Sequence, residues 1–161
     1  MRMAAVGLCL VLATAAPAAD TKAIAVADFD YSDGSGEAVD QSAQHRARMA
    51  AFADLLRADL ARRAFAVTRP ACAAPPCTAR SMPADELIAA ARQGGAHYLL
   101  YGGIHKMSTL VQWGEVQIVD LDSQQLLLRR TVSFRGDSDE AFARAAAFVG
   151  DTVNDAIGAR R

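Results

Sequence analysis

The stretch from His97 to Phe134, HYLLYGGIHKMSTLVQWGEVQIVDLDSQQLLLRRTVSF, decides the fold. It separates into three β-rich segments, HYLLYGGIHKM, LVQWGEVQIVDL and QLLLRRTVSF, with short turns near Ser108 and at LDSQQ. Consecutive strands joined by short turns pair antiparallel, so the stretch predicts a three-stranded meander. Side chains alternate along a strand, which places Val111, Trp113, Glu115, Gln117 and Val119 on one face of the middle segment. Gly114, Val116, Ile118 and Asp120 take the other face, and neither face is wholly polar.

Upstream, KAIAVADFDY reads as a short buried strand ending at Asp28 and Asp30. The next eleven residues, SDGSGEAVDQS from Ser32 to Ser42, concentrate glycine, serine and acid, so the chain is expected to leave the sheet there. From about Ala43 to Ala64 there is no proline or glycine, and Met49, Phe52, Leu56 and Leu60 recur at helical spacing. That predicts an amphipathic helix with Arg46, Arg48, Arg57 and Arg62 on its solvent face and His45 at an exposed start. FAVT, residues 65–68, is a second strand ended by Pro70.

SMPADELIAAARQGGA then predicts a second helix, with Pro83 and the acids Asp85 and Glu86 at its start and Gly94 and Gly95 as its stop. After the meander, Phe142, Ala145, Ala146, Val149, Val153 and Ile157 fall on one helical face, predicting a third helix packed on the sheet. The order β-α-β-α-β-β-β-α implies one α/β (α+β) domain of two or three layers. Its sheet is mixed and mainly antiparallel, with about five strands and three helices.

The first residues, MRMAAVGLCLVLATAAPAAD, combine a positive charge at Arg2, an apolar run and small residues around Pro17. This is the grammar of a secretory signal peptide, and the run is shorter than the roughly 20 residues a membrane span needs. Residues 1–19 are therefore expected to be cleaved, leaving 20–161 as a single secreted domain with no stable membrane anchor and a periplasmic location. Bulky Leu8 before Cys9 argues against a lipid-anchoring signal. Cys72 and Cys77 then remain as an even pair, and in an oxidising compartment CAAPPC is expected to close a small disulfide loop. Removal of Arg2 leaves 16 basic against 18 acidic residues, a net charge of −2, which carries no nucleic-acid footprint.

Asp28 and Asp30 stand at the carboxyl end of the first strand, the edge at which open α/β sheets bind ligands. Two carboxylates alone fall short of the oxygen set of a calcium or magnesium site, so strand-capping acids are the simpler reading and no metal or cofactor is expected. His97 and His105 lie eight residues apart on one strand, too far at about 3.3 Å per residue to share a metal. Ser81, Ser108, Ser133 and Ser138 lack a nucleophile-elbow context, and QGGA ends a helix where a phosphate loop would open one.

The run RGDS, residues 135–138, spells a cell-adhesion tripeptide, but short motifs arise often by chance. A strand-to-helix turn accounts for it, with Asp137 capping the helix and Glu140 reaching back in a capping box. Arg135 then lies beside the acids Asp137, Asp139 and Glu140, with an internal ion pair as its simplest role.

IAVADFDY, the cysteine pair, ARQGGAHYLLYGGIHKMSTL and FRGDSDEAF together resemble a family of short secreted bacterial proteins, domain of unknown function 3280, also labelled 2380. The family's lysine and serine after the third strand are matched by Lys106 and Ser108. Its Arg-Gly-Asn-Thr-Asp-Glu-like run is matched by Arg135, Gly136, Asp139 and Glu140, with departures at Asp137, Ser138 and Phe142. The resemblance implies a secreted α/β domain and makes Lys106, Ser108, Arg135 and Asp139 binding candidates alongside Asp28 and Asp30. A looser likeness of architecture connects the chain to the amino-terminal domain of the periplasmic translocation protein TolB.

These readings converge on a non-enzymatic binding or envelope-assembly module with a periplasmic or envelope protein as partner. A small-ligand or metal-binding protein is the alternative, and a hydrolase is the least favoured.

Overall fold

The computed structural model describes residues 22–159, so the expected signal segment lies outside the described residues. The elements are β1 (Lys22–Val26), β2 (Asp30–Asp33), α1 (Ser42–Arg62), β3 (Phe65–Thr68), α2 (Ala84–Gln93), β4 (Tyr98–Lys106), β5 (Val111–Asp120), β6 (Gln125–Arg135) and α3 (Asp139–Gly158). They form an α+β fold with three helices and one mixed six-stranded sheet, ordered β3-β1-β4-β5-β6, with β2 also paired to β4. β1 runs parallel to β3 and β4, and β4, β5 and β6 form the antiparallel meander.

β2 adds a strand to the expected order. Its residues Asp30 to Asp33 pair in parallel with Gly103 to Lys106, so the chain stays in the sheet past Ser32. Tertiary contacts hold it there: the Tyr31 ring packs beside His45 with centroids 4.7 Å apart, and Ser32 Oγ hydrogen-bonds His105 Nδ1 at 2.8 Å. The departure comes at Gly34, whose N–H still donates to the Lys106 carbonyl at 2.8 Å.

One face of the sheet is covered by α1 and α3. Ile24, Val26, Leu100 and Ile118 from the strands meet Phe52, Leu56 and Leu60 of α1 and Phe142, Val149 and Val153 of α3, all buried. Each such side chain contributes about 1.5–3 kcal/mol on leaving water, so this face is the main source of stability. The other face carries α2 over its β1 end, where Ala25, Ala27, Leu99 and Leu121 pack against Leu87, Ala91 and Cys77. The domain is thus three-layered around β1 and two-layered along the meander.

α1 and α3 approach closely at Gly150, where an added Cβ would lie 2.0 Å from Asp59 Oδ2. Asp59 is held there by Arg62 and Arg63, each at 2.7 Å, and Arg63 also reaches Asp151 at 2.8 Å. Among the described residues no helix is long and apolar enough to cross a membrane.

Candidate functional site

A cleft of about 950 Å³ opens at the carboxyl ends of β1 and β3. The first half of α1 forms one wall, the cysteine loop at Pro75, Pro76 and Thr78 forms another, and the segment from Asp28 to Asp33 lies between them. Phe29 and Met49 supply an apolar floor, and Asp30, Asp40, Arg46 and Arg80 are among the polar lining. Asp28 stands just beyond β1, whereas Asp30, expected at the end of that strand, opens β2.

Asp28 is a structural hub of this cleft. Its carboxylate accepts from Arg57 at 2.7 Å and from the Cys77 N–H at 3.0 Å, while its own N–H donates to the Cys77 carbonyl at 2.9 Å. Burial pushes the Asp28 carboxyl upward, but the Arg57 and Cys77 hydrogen bonds outweigh it and hold the group below its ordinary range. Asp30 accepts from the Arg80 N–H at 3.2 Å, so both aspartates anchor the loop after β3. Cys72 and Cys77 are joined in a disulfide with Cα atoms 6.0 Å apart, which is ordinary disulfide spacing.

Arg57 corrects the expectation of a solvent-facing arginine row. It is buried, pairs with Asp28 and Asp54, and donates twice to the Val26 carbonyl at 3.2 and 2.9 Å. Arg48 and His45 are buried as well, whereas Arg46 and Arg62 stay exposed. A guanidinium on a helix flank folds inward when carboxylates and a carbonyl await it.

Lys106, expected in a turn, is the last residue of β4 and is fully buried. Its Nζ lies 2.6 Å from Glu37, 2.7 Å from Asp137, 3.2 Å from Gln41 Oε1 and 3.9 Å from Asp33. Arg48 bonds Asp137 and also Asp139 at 3.0 Å, and His45 sits 3.7 Å from Asp33 and 3.4 Å from Asp137. Burial drives the Lys106 ammonium down, yet Asp137 and Glu37 override it and hold it above the usual lysine range. The same pairing keeps Asp137 low: burial raises it, and Lys106, Arg48 and His45 together lower it further. Tyr31 Oη, Glu37 Oε1 and both amide atoms of Gln112 are buried without a hydrogen-bond partner among the described residues.

The RGDS stretch resolves differently from its expected capping box. Ser138, in extended conformation, is the N-cap and accepts from the Ala141 N–H at 3.3 Å, while Glu140 pairs with Arg144 at 2.6 Å. Gly136 has φ +98°, a value that favours glycine, and this turns Asp137 inward to Lys106 with 12 % of its side chain exposed. An adhesion ligand needs that carboxylate in solvent.

The remaining candidates divide. Asp139 is 94 % exposed and pairs with Arg48, and Ser108 Oγ accepts from the Leu110 and Val111 N–H groups, closing the β4–β5 turn. Arg135 is exposed opposite Val111 in register and makes no ion pair among the described residues, contrary to its expected pairing with the acidic run. It stands instead beside an apolar hairpin tip. Met107, Leu110, Val111 and Trp113 are 55, 69, 38 and 39 % exposed, four of the eight large apolar side chains found exposed among the described residues. The sequence signal for this patch was present, since a tight turn between strands holds methionine and leucine where polar residues are usual.

Many solved structures match this fold, and two illustrate it. The PelC dodecamer from Paraburkholderia phytofirmans matches with a TM-score of 0.53 at 14 % identity, over 84 % of this chain and 86 % of that one. TolB from Acinetobacter baumannii matches with a TM-score of 0.51 at 16 % identity over 86 % of this chain, which spans only 29 % of the TolB chain. Identities this low establish architecture alone. No curated protein matches the sequence. The DUF3280 family, described as "Protein of unknown function (DUF2380)", matches residues 22–152, and the chain belongs to that family.

Proposed function

We propose that the protein is a non-enzymatic binding module of the bacterial envelope that engages a partner protein through the tip of its β4–β5 hairpin. The observation that carries this reading is the gathering of exposed Met107, Leu110, Val111 and Trp113 beside Arg135. Apolar and aromatic side chains concentrated with an arginine are the usual composition of an interaction hot spot. The signal-like start of the chain and the Cys72–Cys77 disulfide support an extracytoplasmic location.

The non-enzymatic part rests on how the reactive groups are used. Lys106 and Arg48 pair with Asp137, Asp28 is bound to Arg57, and the Ser81 hydroxyl donates to the Pro76 carbonyl at 2.8 Å. Groups so engaged serve the fold before any chemistry.

The test is photo-crosslinking in the native compartment with the probe at Leu110, at Trp113 and, as reference, at exposed Arg62. Capture of one protein from the two tip positions only, lost in a Leu110→Ser variant with the probe at Trp113, is the expected result. Equal capture from all three positions overturns the reading. A small-ligand role is the second reading, favoured by the 950 Å³ cleft with its apolar floor.

A further inference from the structure

We infer that the cleft at the ends of β1 and β3 takes an amphipathic organic cation, with an ammonium or guanidinium head toward Asp33, Glu37 and Asp40 and an apolar body over Phe29 and Met49. The inference rests on the small-ligand reading of the cleft and names its ligand class.

Charge supports the head. Six carboxylates line the cleft against four guanidiniums. Arg57 and Arg69 pair with Asp28 and Asp54, which leaves Asp30, Asp33, Glu37 and Asp40 facing Arg46 and Arg80. At the β2 end the lining carboxylates Asp33 and Glu37 and the adjacent Asp137 outnumber their permanent cations, Lys106 and Arg48. Asp40 is exposed nearby and accepts from the Ser42 N–H at 2.9 Å.

A second observation points the same way. Glu37 Oε1 is a buried acceptor lacking any donor among the described residues. A buried acceptor without a donor costs free energy. A head group rich in N–H donors satisfies it, whereas a carboxylate or phosphate head adds acceptors to a site already crowded with them.

Shape supports the body. Phe29 and Met49 line the floor, Pro75 and Pro76 line the facing wall, and Val39, 72 % exposed, lines the cleft from the β2–α1 loop. A largely apolar cavity with a few convergent polar groups binds ligands of just this divided character.

The experiment titrates the purified protein with octylammonium, 1-octanol and octanoate, probes sharing one chain length, and follows amide shifts by NMR. Octylammonium is expected to bind at least tenfold more tightly than octanol, with octanoate weakest. Asp40→Asn combined with Asp33→Asn should remove the advantage of octylammonium and leave octanol unchanged. Ala50→Trp, at an exposed α1 position that lines the cleft, should abolish binding of all three, while Leu110→Ser at the hairpin tip should change none. Equal binding of octanol and octylammonium, or a preference for octanoate, overturns the cationic head while the cleft reading stands. Binding of all three that survives Ala50→Trp, or no binding at all, overturns the cleft itself.

Discussion

Lys106 Nζ lies 2.6 Å from Glu37 Oε2, fastening the last residue of β4 to a loop 69 residues earlier in the chain. Because Lys106 is fully buried, this contact and the one to Asp137 compensate an ammonium that has lost its water. Removing Lys106 takes the ion-pair partner from Glu37 and one of its cations from Asp137, which keeps Arg48. Lys106→Met is therefore expected to lower stability by about 3 kcal/mol, read as a reduced midpoint in urea. A loss below about 1 kcal/mol, within the range of exposed pairs, would show that the cluster does not clamp the loop.

Acid should unfold the protein through the same cluster. Asp28, Asp33 and Asp137 all have carboxyls held below their ordinary value in the folded state, so the folded state binds fewer protons than the unfolded chain. The stability they contribute is complete above the unfolded aspartate value of about 4 and is lost as pH falls through the folded values. Melting temperature is expected to be nearly flat between pH 7 and pH 5 and to drop below about pH 4. An Asp137→Asn variant, less stable at neutral pH, should show a shallower drop. Equal slopes for variant and parent would remove Asp137 from the account.

Gly150→Ala sets two effects against each other. Alanine favours a helix interior by up to about 1 kcal/mol over glycine. Its Cβ would, however, fall 2.0 Å from Asp59 Oδ2, forcing that carboxylate off Arg62 and Arg63 or pushing α1 from α3. The clash is expected to win, with a net loss of about 1–2 kcal/mol in chemical denaturation. A variant more stable than the parent would mean that Asp59 moves aside freely.

The disulfide closes a short loop, with Cys72 and Cys77 five positions apart in sequence. On chain-entropy grounds its replacement by Cys72→Ala with Cys77→Ala should cost about 2 kcal/mol. The cost should appear as a lowered melting temperature that no longer responds to reductant, whereas the parent loses a similar amount when reduced. A parent melting temperature indifferent to reductant would show that the Asp28 hydrogen bonds hold the loop unaided.

Much of the architecture was legible because hydrophobic spacing is a local property. Met49, Phe52, Leu56 and Leu60 marked the buried stripe of α1, and the turns at Ser108 and LDSQQ marked the meander. β2 was hidden because SDGSGE has the composition of a loop, whereas parallel pairing to His105 and Lys106 and the Ser32–His105 hydrogen bond hold its first two residues in the sheet. The candidate residues show the same division. Asp28 does follow the end of β1 but Asp30 opens β2, and Arg48, Arg57 and His45 looked like the polar side of an amphipathic helix and turned out to be buried.

By itself the sequence determined the helices, the meander, the turn that carries Ser138 and Gly136, and the pairing of the two late cysteines. Each depends on residues close together in the chain, whose spacing and backbone preferences are written locally. Only the tertiary structure decided which charges would be buried together. Lys106, Glu37, Asp137 and Arg48 come from four separate segments, and the favourable energy of their pairing exists only after packing has excluded water around them. The cleft was decided at the same level, because its walls belong to α1, β2 and the cysteine loop and meet only in the folded chain.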